Sequence, residues 1–176
     1  MNLSPVFERQ ANHYGDAKLL LLAGVGLYYA LVVFNNLTDF DSNYQFVRHV
    51  LSMDSTFPGN HGMWRALLSP AFHLAFYVGI IGWEIVTTFL LWWGVVVMLR
   101  ALRLPAAAFN AAKRVSIAAL TLSMMMWLVA FLSIGAEWFL MWQSHTWNGQ
   151  DAAFRMFAVV GLVLLIVLHS DTDGQP

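Results

Sequence analysis

A single carboxylate stands where carboxylates are expensive. Glu84 lies near the middle of a long uncharged stretch, within GIIGWEIVTTF at 79–89. At the centre of a bilayer a charged, unpaired side chain costs several kcal/mol, so such a group must face the bundle interior, take up a proton or meet a partner. Burial disfavours its charged form. Groups expected at similar depth on neighbouring helices are Tyr28 or Tyr29, and Thr121 or Ser123. These can hydrogen-bond to a carboxyl but bring no positive charge. The chemistry open to Glu84 is proton transfer, or hydrogen bonding to a quinone or lipid head group. The plainer role is a protonated carboxyl that ties two helices together.

A second polar set is expected at one end of the helices. Glu137 and Arg155 flank a short connection and would pair across it, with Asp39, Arg48 and Arg65 close by. An exposed rim pair of this kind contributes about 0–1 kcal/mol; a pocket beneath a loop would make the same residues functional. The histidines are His13, His49, His61, His73, His145 and His169. Haem between helices needs two at matching depth on facing helices, and neither the inner nor the outer set makes that pair. His49, His61 and Asp54 are the nearest approach to a metal set. No catalytic residue and no metal ligand is assigned. No cofactor is expected, with haem or quinone as the alternatives. Cysteine is absent, which removes disulfides, thiolate ligands and thiol nucleophiles.

The elements that must position these residues are apolar and long. Hydrophobic residues make up 59% of the 176 and charged residues 11%, against about 25% charged in a soluble domain. Four stretches stand out, at about 19–35, 71–99, 115–141 and 153–169. A soluble helix carries a polar face, yet 85–98 and 116–136 hold no charge at all. In lipid such segments must satisfy their own backbone, so they are helices. No alternating pattern suggests a β-barrel. The second stretch is longer than the hydrocarbon core and should tilt or project. The expected fold is all-α, a four-helix transmembrane bundle in one domain. The tail 1–17 lacks the pattern of a cleaved signal, so the first span is expected to act as a signal anchor. A net charge of −1 gives no basic field for nucleic acid.

Basic residues set the orientation. Arg9, Lys18, Arg100, Arg103, Lys113 and Arg114, six of the nine, fall on the N-terminal tail and the loop between the second and third spans. The positive-inside rule then puts both termini in the cytoplasm. The long loop at 36–70 lies outside. In it Pro58-Gly59-Asn60 marks a turn. A short helix from about Asn43 to Met53, capped by Asp41 or Ser42, carries Tyr44, Phe46, Val47, Val50 and Leu51 on one side. It should cap the bundle or lie on the outer leaflet. Trp64, Trp138, Trp142 and Trp147 fit an interfacial aromatic belt. Gly24 and Gly26, and Gly79 and Gly82, offer small faces for helix packing within the bundle or against a partner subunit. The sequon Asn36-Leu37-Thr38 abuts the membrane and carries no weight.

At this point the chain resembles a bacterial family of small integral membrane proteins described only as a domain of unknown function. The residues that carry the resemblance are NLTD at 36–39, NYQFVRHVLSMD at 43–54, Trp83-Glu84, and WNGQDAAFR at 147–155. It implies four transmembrane helices and a bacterial inner-membrane location, and it brings no activity and no catalytic residues. Three function classes follow from the residues. One is an accessory subunit that binds other membrane proteins or further copies of itself. Another is a proton-coupled transporter or channel using Glu84. The last is a quinone- or lipid-binding protein with a site beneath the cap. An enzyme is the less favoured reading.

Overall fold

The computed structural model describes the backbone of residues 5–173 and the side chains of 14–173. Arg9 and His13, used above for orientation and ligand search, lie outside the described side chains. Six α-helices follow in order: α1 Pro5–Thr38, α2 Phe40–Ser52, α3 Pro70–Ala101, α4 Ala106–Ala112, α5 Arg114–Met125 and α6 Gln150–Leu168. A π-helical segment, Met126–Trp138, continues α5. Four stretches are long and apolar enough to cross a membrane: Tyr14–Thr38, Pro70–Ala101, Ala106–Trp138 and Gln150–Leu168. Their outer faces are apolar too. Leu20 and Leu31 on α1, Phe89 and Trp93 on α3, and Leu162 and Leu165 on α6 are all exposed, an arrangement that lipid tolerates and water does not. This is an integral membrane bundle of four long helices with no strand among the described residues.

The register of α1 against α3 positions everything that follows. The two run antiparallel. Gly15 faces Leu102, Gly26 faces Leu91 and Trp92, and Asn36 meets Glu84. Pro70 starts α3 in the position where a missing N–H does no harm. In this register the first turns of α3 extend past the point where α1 stops. That extra length is covered by α2. Val47, Val50 and Leu51 pack on Tyr77 and Ile81 of α3, with Ala136, Phe139 and Met141 closing the cluster. The cap helix therefore packs on the bundle instead of lying apart from it. It begins three residues earlier than the sequence suggests. Its expected cap residues are not used as such: Asp39 is the N-cap without a side-chain cap bond, and Ser42 Oγ donates to Asp39 Oδ2 at 2.8 Å. Beyond it the loop turns at Gly59, whose φ of 77° is the left-handed conformation that glycine adopts freely.

The main core joins α1, α3, α5 and α6 through Leu22, Tyr29, Leu91, Met98, Leu120 and Val160. Gly94 lets α3 and α5 approach: a Cβ there would lie 3.1 Å from Ser116 Cα. Of the glycines offered as packing faces, Gly26 packs inside, while Gly24, Gly79 and Gly82 have nothing near the position of a Cβ.

At the end of the bundle away from α2, a polar knot ties the chain's tail to the helices. Lys18 Nζ donates to Asp171 Oδ2 at 2.7 Å and to His169 O at 2.7 Å. Lys113 Nζ contacts the same two acceptors and Asn110 Oδ1. Both lysines are buried, at 4% and 2% exposure. Burial alone would raise the Asp171 carboxyl; the two ammoniums outweigh it and hold it below the usual carboxylate range.

Candidate functional site

Glu84 is 3% exposed and points into the bundle. Its Oε2 accepts a 2.6 Å hydrogen bond from Asn36 Nδ2 of α1. Asn36, itself 5% exposed, is held from its other end. Its Oδ1 accepts from Asn43 Nδ2 of α2 at 2.6 Å and from the Tyr77 hydroxyl of α3 at 3.3 Å. With its oxygen committed to two donors, only its amide N–H₂ is left to face the carboxyl. Asn36 is thus a positioning residue for Glu84. Glu84 Oε1 makes no hydrogen bond among the described residues.

A cavity of about 320 Å³ opens beside this chain of bonds. Its walls come from five parts of the fold: Tyr28, Val32, Asn35 and Asn36 of α1, Asn43, Phe46 and Val47 of α2, Tyr77, Ile80 and Glu84 of α3, Trp127 and Phe131 of the π-helical segment, and Gly149 and Ala152 at the start of α6. Asn35, Asn43 and Ala152 are exposed and form its rim, so it opens sideways between α1 and α6 below the cap. Ligand pockets begin at about 300 Å³. A smaller apolar cavity of about 80 Å³ lies behind it and shares Phe46, Val47, Ile80 and Phe131 as walls. π-Helical backbone is rare and often marks functional positions; here it carries Trp127 and Phe131 to the cavity. Its wide turn shows in Phe139 N–H donating to Ile134 O at 3.0 Å.

Glu84 is not midway between the two ends of the bundle. It sits level with Asn36, and eighteen residues of α1 separate Asn36 from Lys18 in the knot. At 1.5 Å per residue that is about 27 Å, nearly the roughly 30 Å of a hydrocarbon core. The carboxyl is central in its own helix because α3 overshoots α1, and it lies at the cap end of the bundle for the same reason.

The donors expected around Glu84 divide. Tyr28 lines the same cavity. Tyr29 and Ser123 bond to each other at 2.6 Å and not to Glu84, and Thr121 is exposed. The partners that do touch the network, Asn36, Asn43 and Tyr77, were missed. Asn36 and Asn43 lie on two different helices across the break at Asp39, so no spacing within one helix marks them.

The outer cluster does not assemble. No ion pair joins Glu137 to Arg155 among the described residues; both are exposed, where solvent leaves little gain from pairing. Asp39 takes the Ser42 hydroxyl, and Arg48 donates to Gln45 Oε1 at 3.3 Å. The Arg65 guanidinium lies 5.8 Å and 5.5 Å from the ring centres of Trp64 and Trp138, a cation–π arrangement. Trp147 stacks on His49 at 4.6 Å and so packs against the cap helix. His49 Nδ1 meets Asp54 Oδ2 at 2.7 Å, and no group of three or more possible metal ligands gathers among the described residues.

The model of the family described as "Predicted small integral membrane protein (DUF2165)" matches residues 16–170. The chain belongs to this family. No curated protein and no solved structure matches it. The matched span includes every residue of the Glu84 network and of the cavity wall, as well as Lys18 and Lys113, and ends one residue short of Asp171.

Proposed function

We propose that this DUF2165 protein is a binding protein of the bacterial inner membrane, whose site is the cavity beside Glu84 and whose ligand is a small apolar molecule with a hydrogen-bonding head. The observation that carries the reading is the cavity itself: polar around Glu84, Asn35, Asn36 and Asn43, aromatic and aliphatic elsewhere, and open sideways between two membrane-spanning helices. The weight of basic residues supports cytoplasmic termini and an extracytoplasmic cap. On that orientation the opening faces the outer half of the bilayer. A proton-coupled carrier would need a second way out, and the path from Glu84 toward the termini is filled by Leu91, Val95 and Met98 of α3.

Extraction in a mild neutral detergent, followed by mass spectrometry of the protein and of what comes with it, tests the reading. The wild type should carry a lipophilic small molecule. Ala152→Trp, which fills the mouth from an exposed position, should lose it while keeping its fold. A ligand-free wild type from which no small molecule is recovered would overturn the proposal.

A second reading, the accessory subunit, is favoured by one observation. Gly79 and Gly82 present an open small-residue strip on the lipid-facing side of α3, the kind of surface on which another transmembrane helix packs closely. Cross-linking from this strip in native membranes would separate a bound neighbour from bare lipid.

A further inference from the structure

We infer that the cavity selects an organic cation, an ammonium group carried on an apolar body. The inference rests on the reading of the cavity as a binding site and names its ligand class.

The argument is one of complementarity. Among the fourteen residues that line the cavity, Glu84 is the one acidic group, and there is no lysine, arginine or histidine. An anionic head would meet a carboxyl with no counter-charge. A quinone presents carbonyl acceptors; the wall residue Trp127 has an Nε1–H, unpaired among the described residues, to offer them, but the unengaged Glu84 Oε1 is an acceptor as well unless it holds a proton. A cation meets no such conflict. It supplies the positive charge that no residue of the wall provides, and a carboxylate in apolar surroundings is stabilised by such a partner. The rest of the wall suits it equally. Tyr28, Phe46, Tyr77, Trp127 and Phe131 line the space, and aromatic rings attract ammonium groups most strongly when water is excluded. Val32, Val47 and Ile80 give the hydrophobic part of the ligand an apolar wall. Asn36 completes the arrangement by fixing one carboxyl oxygen and leaving the other unengaged.

The test uses the full chain in dodecyl maltoside micelles, where no lipid ammonium competes for the site, with empty micelles as the blank. Calorimetric titration compares benzyltrimethylammonium with neopentylbenzene, its uncharged carbon isostere, and with phenylacetate. Wild type should bind the ammonium on the order of tenfold or more tightly than the isostere, and phenylacetate least. Glu84→Gln should cut the preference to what the aromatic wall alone supplies, and Glu84→Asp should keep more of it. The wild-type comparison stands even if Glu84→Gln does not fold. Equal binding of ammonium and isostere, both lost in Ala152→Trp, would overturn the cation inference and leave the binding site standing. No binding of any probe to wild type would overturn both.

Discussion

Asn36→Ala removes the residue on which the site's geometry turns. It deletes three side-chain hydrogen bonds at once: the 2.6 Å bond to Glu84, the 2.6 Å bond from Asn43 and the 3.3 Å bond from Tyr77. Side-chain hydrogen bonds inside membrane proteins average about 0.6 kcal/mol and reach about 1.7. Three of them at a position 5% exposed sum to about 2 kcal/mol. Unfolding in maltoside micelles by titration with a denaturing detergent, followed by loss of helicity, gives the difference. Leu31→Ala, on the lipid-facing side of α1, is the control and should fall within about 0.5 kcal/mol of wild type. The double mutant with Glu84→Ala isolates the pair: a coupling of about 1 kcal/mol is expected, because either single change removes the contact. An Asn36→Ala protein as stable as the control, or a coupling indistinguishable from zero, would refute the claim that this amide holds the carboxyl.

Asp171→Asn takes the shared counter-charge from two buried lysines and should cost about 1.5–3 kcal/mol, the range for hydrogen bonds to charged groups, read in the same unfolding assay. The Asp171 carboxyl is held below its usual range, so its contribution is fully present above the ordinary aspartate value of about 3.9 and is lost as pH falls through the lower folded value. Acidification should therefore destabilise wild type more steeply than Asp171→Asn, and parallel curves would count against the knot. Gly94→Ala drives a methyl against Ser116 and should cost about 1–3 kcal/mol by overpacking. Gly79→Ala, with open space at that position, should be neutral in the isolated protein, and equal losses at the two sites would mean that α3 and α5 are not in this close contact. Because the chain has no cysteine, single cysteines report topology directly. A membrane-impermeant maleimide added to intact cells should label Thr56→Cys and spare Arg103→Cys, and the reverse pattern would invert the orientation.

How far these features can be read from residues alone depends on the range of the physics that makes them. The four spans are legible because long uncharged runs such as 116–136 leave no alternative to lipid and a helix. The cap is legible because Pro58-Gly59-Asn60 forces a turn and Val47, Val50 and Leu51 share one side of a short helix. Glu84 is legible as a buried group, since no other disposition is affordable. Its partner is not. Whether Glu84 meets Asn36 or Tyr29 depends on how far α3 slides along α1, and that is set by contacts such as Gly15 with Leu102 and Gly26 with Trp92, each between residues far apart in the chain. The π-helical turn leaves no local mark, and the C-terminal tail showed no sign that Asp171 would be bound by Lys18 and Lys113. The Glu137–Arg155 expectation failed because proximity to one end of a bundle does not align two exposed side chains, and water offers them little reason to align.

The cavity and the carboxyl have a common origin in the stagger that carries the start of α3 past the end of α1. Had α1 continued alongside α3 to Pro70, the wall beside Glu84 would have been another helical face, packed by side chains as it is at Leu91 and Met98. Instead α1 stops at Thr38, and Phe40 starts a new helix after a single residue. The replacement helix α2 carries Asn43 and Phe46 to the cavity on one flank while Val50 and Leu51 bind α3 on the other. A helix attached on one flank bridges a gap without filling it. The polar groups that the break exposes, Asn35 and Asn36 at the last turn of α1, are those that then satisfy Glu84 and form the rim. Any change that fused α1 and α2 into one straight helix would therefore remove three things together: the cap, the amide that holds the carboxyl and the space into which the carboxyl points.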